Sequence, residues 1–305
     1  MSGQSVRLPL WAVAVMVLLC VFWGFNQVAI KIGNGGISPL LQAGLRSIGS
    51  LALVWLWSAW RGTPLFQRDG TLFVGLVVGV MFAGEFIFLY WGLVFAGASR
   101  SVLFLYMAPF VVAIGAHLFV PGERLRRLQV LGLLAAFAGV AIAFGDAFEV
   151  PNGREFFGDI LAFVAAVFWG ATTVVVKASR LARISPSKTL FYQLAVSAVL
   201  LPLLSRLAGE SGITAATPLV LGLLAFQIVV ISFMSYLIWF VFMTKYPAST
   251  LSAFSLLTPI FGVALGGLVL HEPITPALLL ASLLVAGGIY LVNRAQPAPG
   301  VVPAP

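Results

Sequence analysis

Ten apolar runs, each near the length of a membrane span, follow one another along this chain and leave little room for any other kind of fold. A helix needs about 20 apolar residues to cross the hydrocarbon core of a bilayer. Hydrophobic residues make up 61% of the chain and charged residues 9%, whereas a soluble domain is about half apolar and a quarter charged. The sequence therefore predicts an all-α polytopic membrane protein. Its ten predicted transmembrane helices cover residues 10–31, 38–60, 72–95, 99–120, 128–145, 159–178, 187–207, 218–243, 248–270 and 276–293.

The chain is internally repeated. The segment from Val21 to Lys31 matches the segment from Val167 to Lys177, and both begin with Val-Phe-Trp-Gly and end in lysine. Ile-Ser-Pro opens predicted helices 2 and 7, and Ala-Ser followed by a mid-helix proline marks predicted helices 4 and 9. The chain is thus two units of five helices. Because five is odd, the second unit enters the membrane from the opposite side. Inverted repeats of this kind are a signature of secondary transporters, whose substrate site lies near the midplane of the membrane.

These repeats divide the chain into a cytoplasmic N-terminus (1–9), a first repeat (10–145), a periplasmic linker (146–158), a second repeat (159–294) and a flexible cytoplasmic tail (295–305). Lys and Arg concentrate in cytoplasmic loops. With both termini cytoplasmic, the inner side carries twelve such residues and the outer side four. The net charge of +8 therefore reflects membrane topology, and we expect no nucleic-acid partner. The inner residues are Arg7, Arg61, Arg68, Arg124, Arg126, Arg127, Lys177, Arg180, Arg183, Lys188, Lys245 and Arg294, and the outer residues are Lys31, Arg100, Arg154 and Arg206.

Polar side chains form stripes along several predicted helices. Residues at i, i+3, i+4 and i+7 share one helix face, and such a face is costly against lipid, so we expect it to meet protein or a watery cavity. Helix 1 carries Trp23, Asn26 and Gln27, and helix 6 carries Trp169, Thr172 and Thr173 at the equivalent positions. Helix 8 carries Ser232, Ser235, Tyr236 and Trp239, and helix 9 carries Ser252, Ser255 and Thr258.

Glu85 is an acid near the middle of predicted helix 3, where an ionised carboxylate is costly unless it is paired, hydrated or protonated. It forms an ion pair with Arg46 or Arg100, contacts a substrate ammonium, or carries a coupling proton. The equivalent positions of Glu85 and Arg46 in the second repeat are the neutral Ser235 and Gln193. The joint loss of both charges fits the ion pair slightly better, and the other two interpretations remain open.

The ordered set of motifs resembles a known family. The chain has ten predicted helices in two halves, and the first helix of each half contains Phe-Trp-Gly. The fourth helix of each half contains Ala-Ser and a mid-helix proline, and it ends with Gly-Glu or His-Glu. From residue 10 to 294, this pattern resembles the EamA-type branch of the drug/metabolite transporter superfamily. Within it the chain is most similar to bacterial amino-acid exporters, including those for aromatic amino acids. The resemblance implies a bacterial inner-membrane protein with a central cavity lined chiefly by helices 1, 3, 4, 6, 8 and 9. Helices 5 and 10 would pack outside this cavity.

These observations predict the residues of a substrate site. We expect aromatic walls from Trp23, Trp169, Tyr90, Tyr106 and Trp239, and hydrogen bonds from Asn26, Gln27, Thr172, Thr173, Ser235 and Ser255. Glu85 sets the local charge or carries the coupling proton. Proline removes a backbone hydrogen bond and kinks a helix. Pro109 and Pro259 are therefore either bending points for gating or static kinks that open the cavity.

The chain also lacks the motifs of several other functions. It contains no phosphate-binding Gly-Lys-Ser/Thr loop and only two histidines, so we expect neither a cofactor nor a metal, and no catalytic set can be built from its buried residues. We expect a monomeric exporter of neutral or zwitterionic metabolites, such as aromatic or other neutral amino acids, that works by alternating access among membrane lipids. One alternative is an exporter of cationic or lipophilic drugs, which requires an exposed and essential Glu85. The other is a non-transporting scaffold or receptor, which predicts that no cavity is present.

Overall fold

The structure is a computed structural model that describes residues 8–96, 98–143, 152–270 and 276–294. Within those ranges it is helical, and no strand occurs there apart from a single backbone bridge between Ile37 and Ile213. A short 3₁₀ helix follows α7, and a π-helical segment joins α9 to α10. The helices are α1 (Leu10–Gly33), α2 (Pro39–Trp60), α3 (Leu72–Phe95), α4 (Ala98–Leu105), α5 (Ala108–Phe119), α6 (Arg127–Ala143), α7 (Gly153–Ala178), α8 (Pro186–Leu207), α9 (Pro218–Phe226), α10 (Tyr236–Lys245), α11 (Ala248–Phe254), α12 (Leu257–Leu270) and α13 (Pro276–Arg294).

Among the described residues, eight helical segments are long and apolar enough to cross a membrane, and α6 and α13 contribute two shorter apolar helices. Each of these ten segments coincides with one of the ten predicted helices. Three predicted helices are divided in the structure: helix 4 into α4 and α5, helix 8 into α9 and α10, and helix 9 into α11 and α12. The predicted all-helical, polytopic fold is therefore confirmed. It follows directly from the apolar runs, because a backbone inside lipid must satisfy its own hydrogen bonds and a helix does so within one segment.

Predicted helices 4 and 9 are both interrupted just before their proline. Pro109 has no N–H to bond four residues back, and its ring crowds the carbonyl of Leu105, the residue at which α4 ends. The chain turns there through a hydrogen bond between residues three apart instead of four, from Met107 N–H to Phe104 O at 3.1 Å. In the second half, the break between α11 and α12 lies at the equivalent place, before Pro259. The two breaks are present, and their role in gating remains a prediction.

Predicted helix 8 differs from the expected continuous α-helix. Its central part, Gln227–Ser235, is π-helical, with bonds between residues five apart instead of four. Wider turns change which residues share one helix face, and Ser232 and Ser235 both belong to this segment. Tyr236 and Trp239 face the central cavity described below, whereas Ser232 and Ser235 are not among the residues that line it.

Helix α7 begins earlier than predicted helix 6, which was expected to start at residue 159. Helix α7 starts at Gly153, so residues 153–158 are helical instead of belonging to the predicted linker 146–158. Asn152 Oδ1 accepts bonds from the N–H groups of Arg154 and Glu155 at 3.0 Å each, and Glu155 Oε2 accepts from Asn152 N–H at 3.0 Å. This capping box satisfies the free donors of the first turn. A boundary drawn from apolar residues alone misses such a polar turn. Residues 144–151 lie outside the described residues.

Helices α6 and α13 pack on each other through small residues. A Cβ added to Gly132 would lie 2.6 Å from Gly288 O, and one added to Gly139 would lie 2.6 Å from Ala281 O. Backbones can approach this closely only where side chains are minimal. No described residue of either helix lines the central cavity, which agrees with the expectation that predicted helices 5 and 10 pack outside it.

Candidate functional site

A cavity of about 170 Å³ lies at the centre of the molecule, between the two repeats. It is lined by side chains from α1, α2, α3 and α4 of the first half and from α7, α8, α10 and α12 of the second. Ten of the twelve predicted substrate-binding residues line it, and the structure therefore brings them together. They are Trp23, Asn26, Gln27, Glu85, Tyr90, Tyr106, Trp169, Thr172, Thr173 and Trp239.

The other two predicted residues, Ser235 and Ser255, do not line the cavity and use their hydroxyls inside the protein. Ser235 Oγ accepts a bond from the indole N–H of Trp23 at 2.8 Å and donates to Ile231 O at 2.5 Å. Ser255 Oγ donates to Ser252 O at 2.6 Å. Ser235 therefore acts on the cavity indirectly, because it holds the orientation of a tryptophan in the cavity wall.

Each of the two repeated tryptophans forms an edge-to-face pair with an aromatic residue of the other repeat. The rings of Trp23 and Trp239 are 5.7 Å apart at 69°, and those of Trp169 and Tyr106 are 5.7 Å apart at 80°. Such pairs are favourable beyond the area they bury. They give the cavity two rigid aromatic surfaces, each joining two different membrane spans.

The glycine that follows each repeated tryptophan allows a close helix contact. A Cβ on Gly24 would lie 2.8 Å from Gly262 N in α12, and a Cβ on Gly170 would lie 2.6 Å from Val111 Cβ in α5. Each motif therefore packs against the broken helix of the opposite half. In each repeat, the tryptophan therefore lines the cavity, and the glycine after it allows the close contact that joins the two repeats.

Two charged residues, Glu85 and Arg46, line the same cavity. Within the described part of the chain, no ion pair within 4.0 Å joins them, so the predicted direct pair with Arg46 is not formed. The guanidinium of Arg46 instead lies over the ring of Phe86, 4.7 Å from its centroid. The side chain of Arg100, the other predicted partner, lies outside the described residues.

The sequence interpretation missed several lining residues. The lining of α3 includes Phe82, Phe86, Leu89 and Leu93 besides Glu85. Counted from Phe82, these four residues and Glu85 stand at i, i+3, i+4, i+7 and i+11, which is one helix face, so the position of Glu85 indicates this stripe. Helices α2 and α8 also contribute, through Arg46 and Gln193, although the resemblance did not imply a lining role for predicted helices 2 and 7. The remaining lining residues are Ile30, Leu105, Tyr236, Phe240 and Thr258.

The two ends of the cavity differ in exposure. Toward the C-terminal ends of α1 and α3, Gln27 is exposed and Leu93 is 37% exposed. Toward the C-terminal end of α10, Trp239 and Phe240 are 8% and 7% exposed. The lining is therefore more exposed at the first end, which we call the open end, than at the second, which we call the closed end.

Hydrogen bonds join four segments beyond the closed end. The ammonium of Lys177, at the end of α7, donates to Met243 O and, at 2.7 Å, to Tyr246 O at the end of α10. Glu123 accepts from the N–H groups of Ala248 and Ser249 at 2.9 and 3.3 Å, in the first turn of α11. Lys177 Nζ lies 4.0 Å from Glu123 Oε1. We call Lys177, Glu123 and these four backbone partners the closing cluster.

A second polar contact at the same end fixes α8 to the loop between α2 and α3. The buried Lys188 donates to Asp69 Oδ2 at 2.8 Å and to Gln67 O at 2.7 Å. The Lys188 ammonium, with the Thr71 hydroxyl, lowers the pKa of Asp69 to about 2. The stabilisation from this lowered pKa is fully present above the ordinary pKa of an aspartate and is lost as the pH falls toward 2. This contact is therefore constant across physiological pH.

Comparisons with known proteins agree with this arrangement. Residues 10–145 and 156–294 match the model of the EamA-like transporter family. A protein of Salmonella typhimurium named "probable amino-acid metabolite efflux pump" is 30% identical over 291 residues, covering 90% of this chain and 92% of that protein. A protein of the same name from Escherichia coli K12 is 27% identical over 290 residues, with the same coverage. The "uncharacterized transporter YoaV" of Bacillus subtilis is 25% identical over 280 residues, covering 90% of this chain and 94% of that protein.

The fold also recurs among solved structures. One crystal structure is 20% identical and superposes with a TM-score of 0.80, covering 92% of this chain and 96% of the other. At this identity the likeness concerns the fold alone. The family match covers most of the chain, from the first membrane span to the last. The protein therefore belongs to the EamA-like transporter family.

Proposed function

We propose that this transporter exports amino acids, aromatic or other neutral ones, across the bacterial inner membrane by alternating access. The observation that carries the proposal is the central cavity, in which aromatic walls from both repeats surround amide, hydroxyl and carboxylate groups. Such a lining suits a small solute with an apolar part and a polar or zwitterionic part. The names of the Salmonella and Escherichia relatives support the same solute class.

The proposed roles follow the chemistry of the lining. The aromatic pairs around Trp23 and Trp169, together with Tyr90, enclose the apolar part of the substrate. Amide and hydroxyl groups of α1 and α7 supply hydrogen bonds, namely Asn26, Gln27, Thr172 and Thr173. Glu85 contacts the substrate ammonium or carries a coupling proton, since it faces the cavity without a direct ion pair to Arg46.

The proposed orientation places both termini in the cytoplasm, where the loop Lys and Arg residues concentrate. The closing cluster then lies on the cytoplasmic side, and the open end of the cavity faces the periplasm. Tyr106 and Thr258 line the cavity beside the helix breaks that precede Pro109 and Pro259. We propose that bending at these breaks accompanies the exchange between the two open states.

One observation favours a second candidate, an exporter of lipophilic cations. Glu85 lies in the cavity among Phe82, Phe86 and Leu89, a setting that also suits an aromatic cation. The scaffold alternative has no such support, because it predicts that the polar stripes close on each other and leave no cavity.

The test is uptake of labelled phenylalanine and leucine into liposomes that contain the purified protein, with and without a pH gradient. We expect uptake that unlabelled phenylalanine inhibits and that the lipophilic cation tetraphenylphosphonium does not. If Glu85→Gln abolishes the response to the pH gradient but retains exchange, Glu85 is the coupling site. If well-folded native protein carries tetraphenylphosphonium and neither amino acid, the amino-acid proposal is rejected in favour of the second candidate.

A further inference from the structure

Arg46 is a buried cation, and two of its guanidinium nitrogens have unused donor groups in the part of the chain that the structure describes. The residue is 2% exposed and lines the central cavity. Its Nε and Nη2 groups have no hydrogen-bond partner among the described residues. The ring of Phe86 covers one face of the guanidinium, and a cation–π contact of this kind leaves the N–H groups along the edge free to donate.

A second unused donor lies in the same cavity. Gln193 in α8 is 2% exposed, and its Nε2 group also lacks a partner in the part of the chain that the structure describes. Gln193 and Arg46 occupy equivalent positions in the two repeats, since both stand nine residues after an Ile-Ser-Pro segment begins. The inverted repeat therefore presents two donor groups, one from each half, to a single cavity.

Buried donors that stay unpaired are costly, and a buried cation more so. The nearest way to satisfy Arg46 inside the protein would be an ion pair with Glu85, but no contact within 4.0 Å joins them in the described residues. The cavity thus holds a cation with free donor groups and a separate carboxylate. A ligand that carries one negative and one positive group would satisfy both.

We propose that Arg46 and Gln193 together bind the carboxylate of the substrate, with Arg46 supplying the charge and Gln193 an additional hydrogen bond. Guanidinium groups suit this task, because their N–H groups match the two oxygens of a carboxylate. Glu85 then lies at the ammonium end, and it disfavours ligands with two negative charges. This inference rests on the proposed amino-acid function for the identity of the substrate. Residues of α2 and α8 then bind the carboxylate, and the aromatic walls enclose the apolar part of the substrate.

The test compares ligands that differ in one group, using the purified full-length protein and calorimetry. The ligands are L-phenylalanine, L-phenylalaninamide, which lacks the carboxylate, and 3-phenylpropionate, which lacks the ammonium. We expect native protein to bind phenylalanine about tenfold to a hundredfold more tightly than the amide, the range for hydrogen bonds to a charged group. Arg46→Gln is expected to remove this preference by weakening phenylalanine binding while leaving amide binding within about twofold.

Two further variants make the result specific. Gln193→Leu is expected to reduce the preference by about tenfold or less, in line with the loss of one neutral donor, and it decides the outcome if Arg46→Gln does not fold. Gln42→Leu is the control, because Gln42 is a buried polar residue one turn before Arg46 in α2 that does not line the cavity. The Gln42→Leu protein should prefer phenylalanine over phenylalaninamide to the same extent as the native protein. Equal weakening of both ligands by Arg46→Gln, or no preference in native protein, would overturn the inference.

The outcomes also separate this inference from the proposed function. If native protein transports phenylalanine but Arg46→Gln keeps the full preference for the carboxylate, the carboxylate site is wrong and the function stands. If native protein does not transport amino acids but binds 3-phenylpropionate in an Arg46-dependent way, the site stands and the amino-acid assignment fails. If native protein binds neither carboxylate, the inference is overturned.

Discussion

Replacing Gly288 with valine is expected to leave little correctly folded protein, whereas the same substitution at the neighbouring Gly287 is expected to be tolerated. A Cβ at Gly288 would lie 2.6 Å from Ala136 N and 2.7 Å from Ala136 Cβ, in the helix packed against it. Gly287 is exposed, and a Cβ there meets nothing within 4 Å. Overpacking usually costs about 1–3 kcal/mol, and Gly288→Val should reach or exceed the upper limit because backbone atoms cannot move aside by changing rotamer.

The two substitutions form a matched pair, since they change helix propensity by the same amount in the same helix. The measurement is the melting temperature of the purified protein, together with the fraction that elutes as a single species in size-exclusion chromatography. We expect a lower melting temperature and an aggregated fraction for Gly288→Val only. Equal behaviour of the two variants would show that the close packing of α6 and α13 does not support the fold.

Lys177→Met is expected to open the closed end of the cavity. Lys177 donates to two carbonyl groups at the end of α10, and a hydrogen bond from a charged group contributes about 1.5–3 kcal/mol. Loss of even one such bond shifts an equilibrium between closed and open states by about tenfold or more toward the open state. The methionine keeps the apolar stem, so packing around α7 changes little.

This shift can be read from the reactivity of one thiol in the cavity. Cys20 is the single cysteine of the chain, so Cys20→Ala with Thr173→Cys places one thiol in the lining. In inverted membrane vesicles, an impermeant maleimide should label this thiol about tenfold faster when Lys177→Met is present. Lys245→Met is the control, because Lys245 is exposed at the end of α10 and is not a member of the closing cluster. An unchanged labelling rate with Lys177→Met would show that Lys177 does not help to close this end of the cavity.

Most of the fold was predictable, because lipid leaves few alternatives. The ten apolar runs and the repeated Val-Phe-Trp-Gly predicted the helices and the family, and both are confirmed. The differences have two causes. The π-helical turns before Tyr236 are a backbone property with no clear side-chain signal. The polar first turn of α7 has a signal, the capping pair Asn152 and Glu155, but a boundary drawn from apolar residues alone misses it.

The cavity was predictable in part. Polar residues in predicted helices 1, 3 and 6 indicated the lining, since a membrane protein places such side chains away from lipid. The sequence indicates for Arg46 only a pairing with Glu85, because sequence spacing cannot show whether two charges on different helices touch. Ser235 was expected in the cavity, and it instead holds Trp23, a contact that only the folded backbone reveals.

We propose above that the cavity between the repeats is a substrate site reached alternately from the two sides of the membrane. The most direct measurement is maleimide labelling of the Cys20→Ala, Thr173→Cys protein in right-side-out and in inverted vesicles, with and without phenylalanine. We expect labelling from both sides and slower labelling from each side when phenylalanine is present. Labelling from one side only, at a rate that phenylalanine does not change, would contradict it.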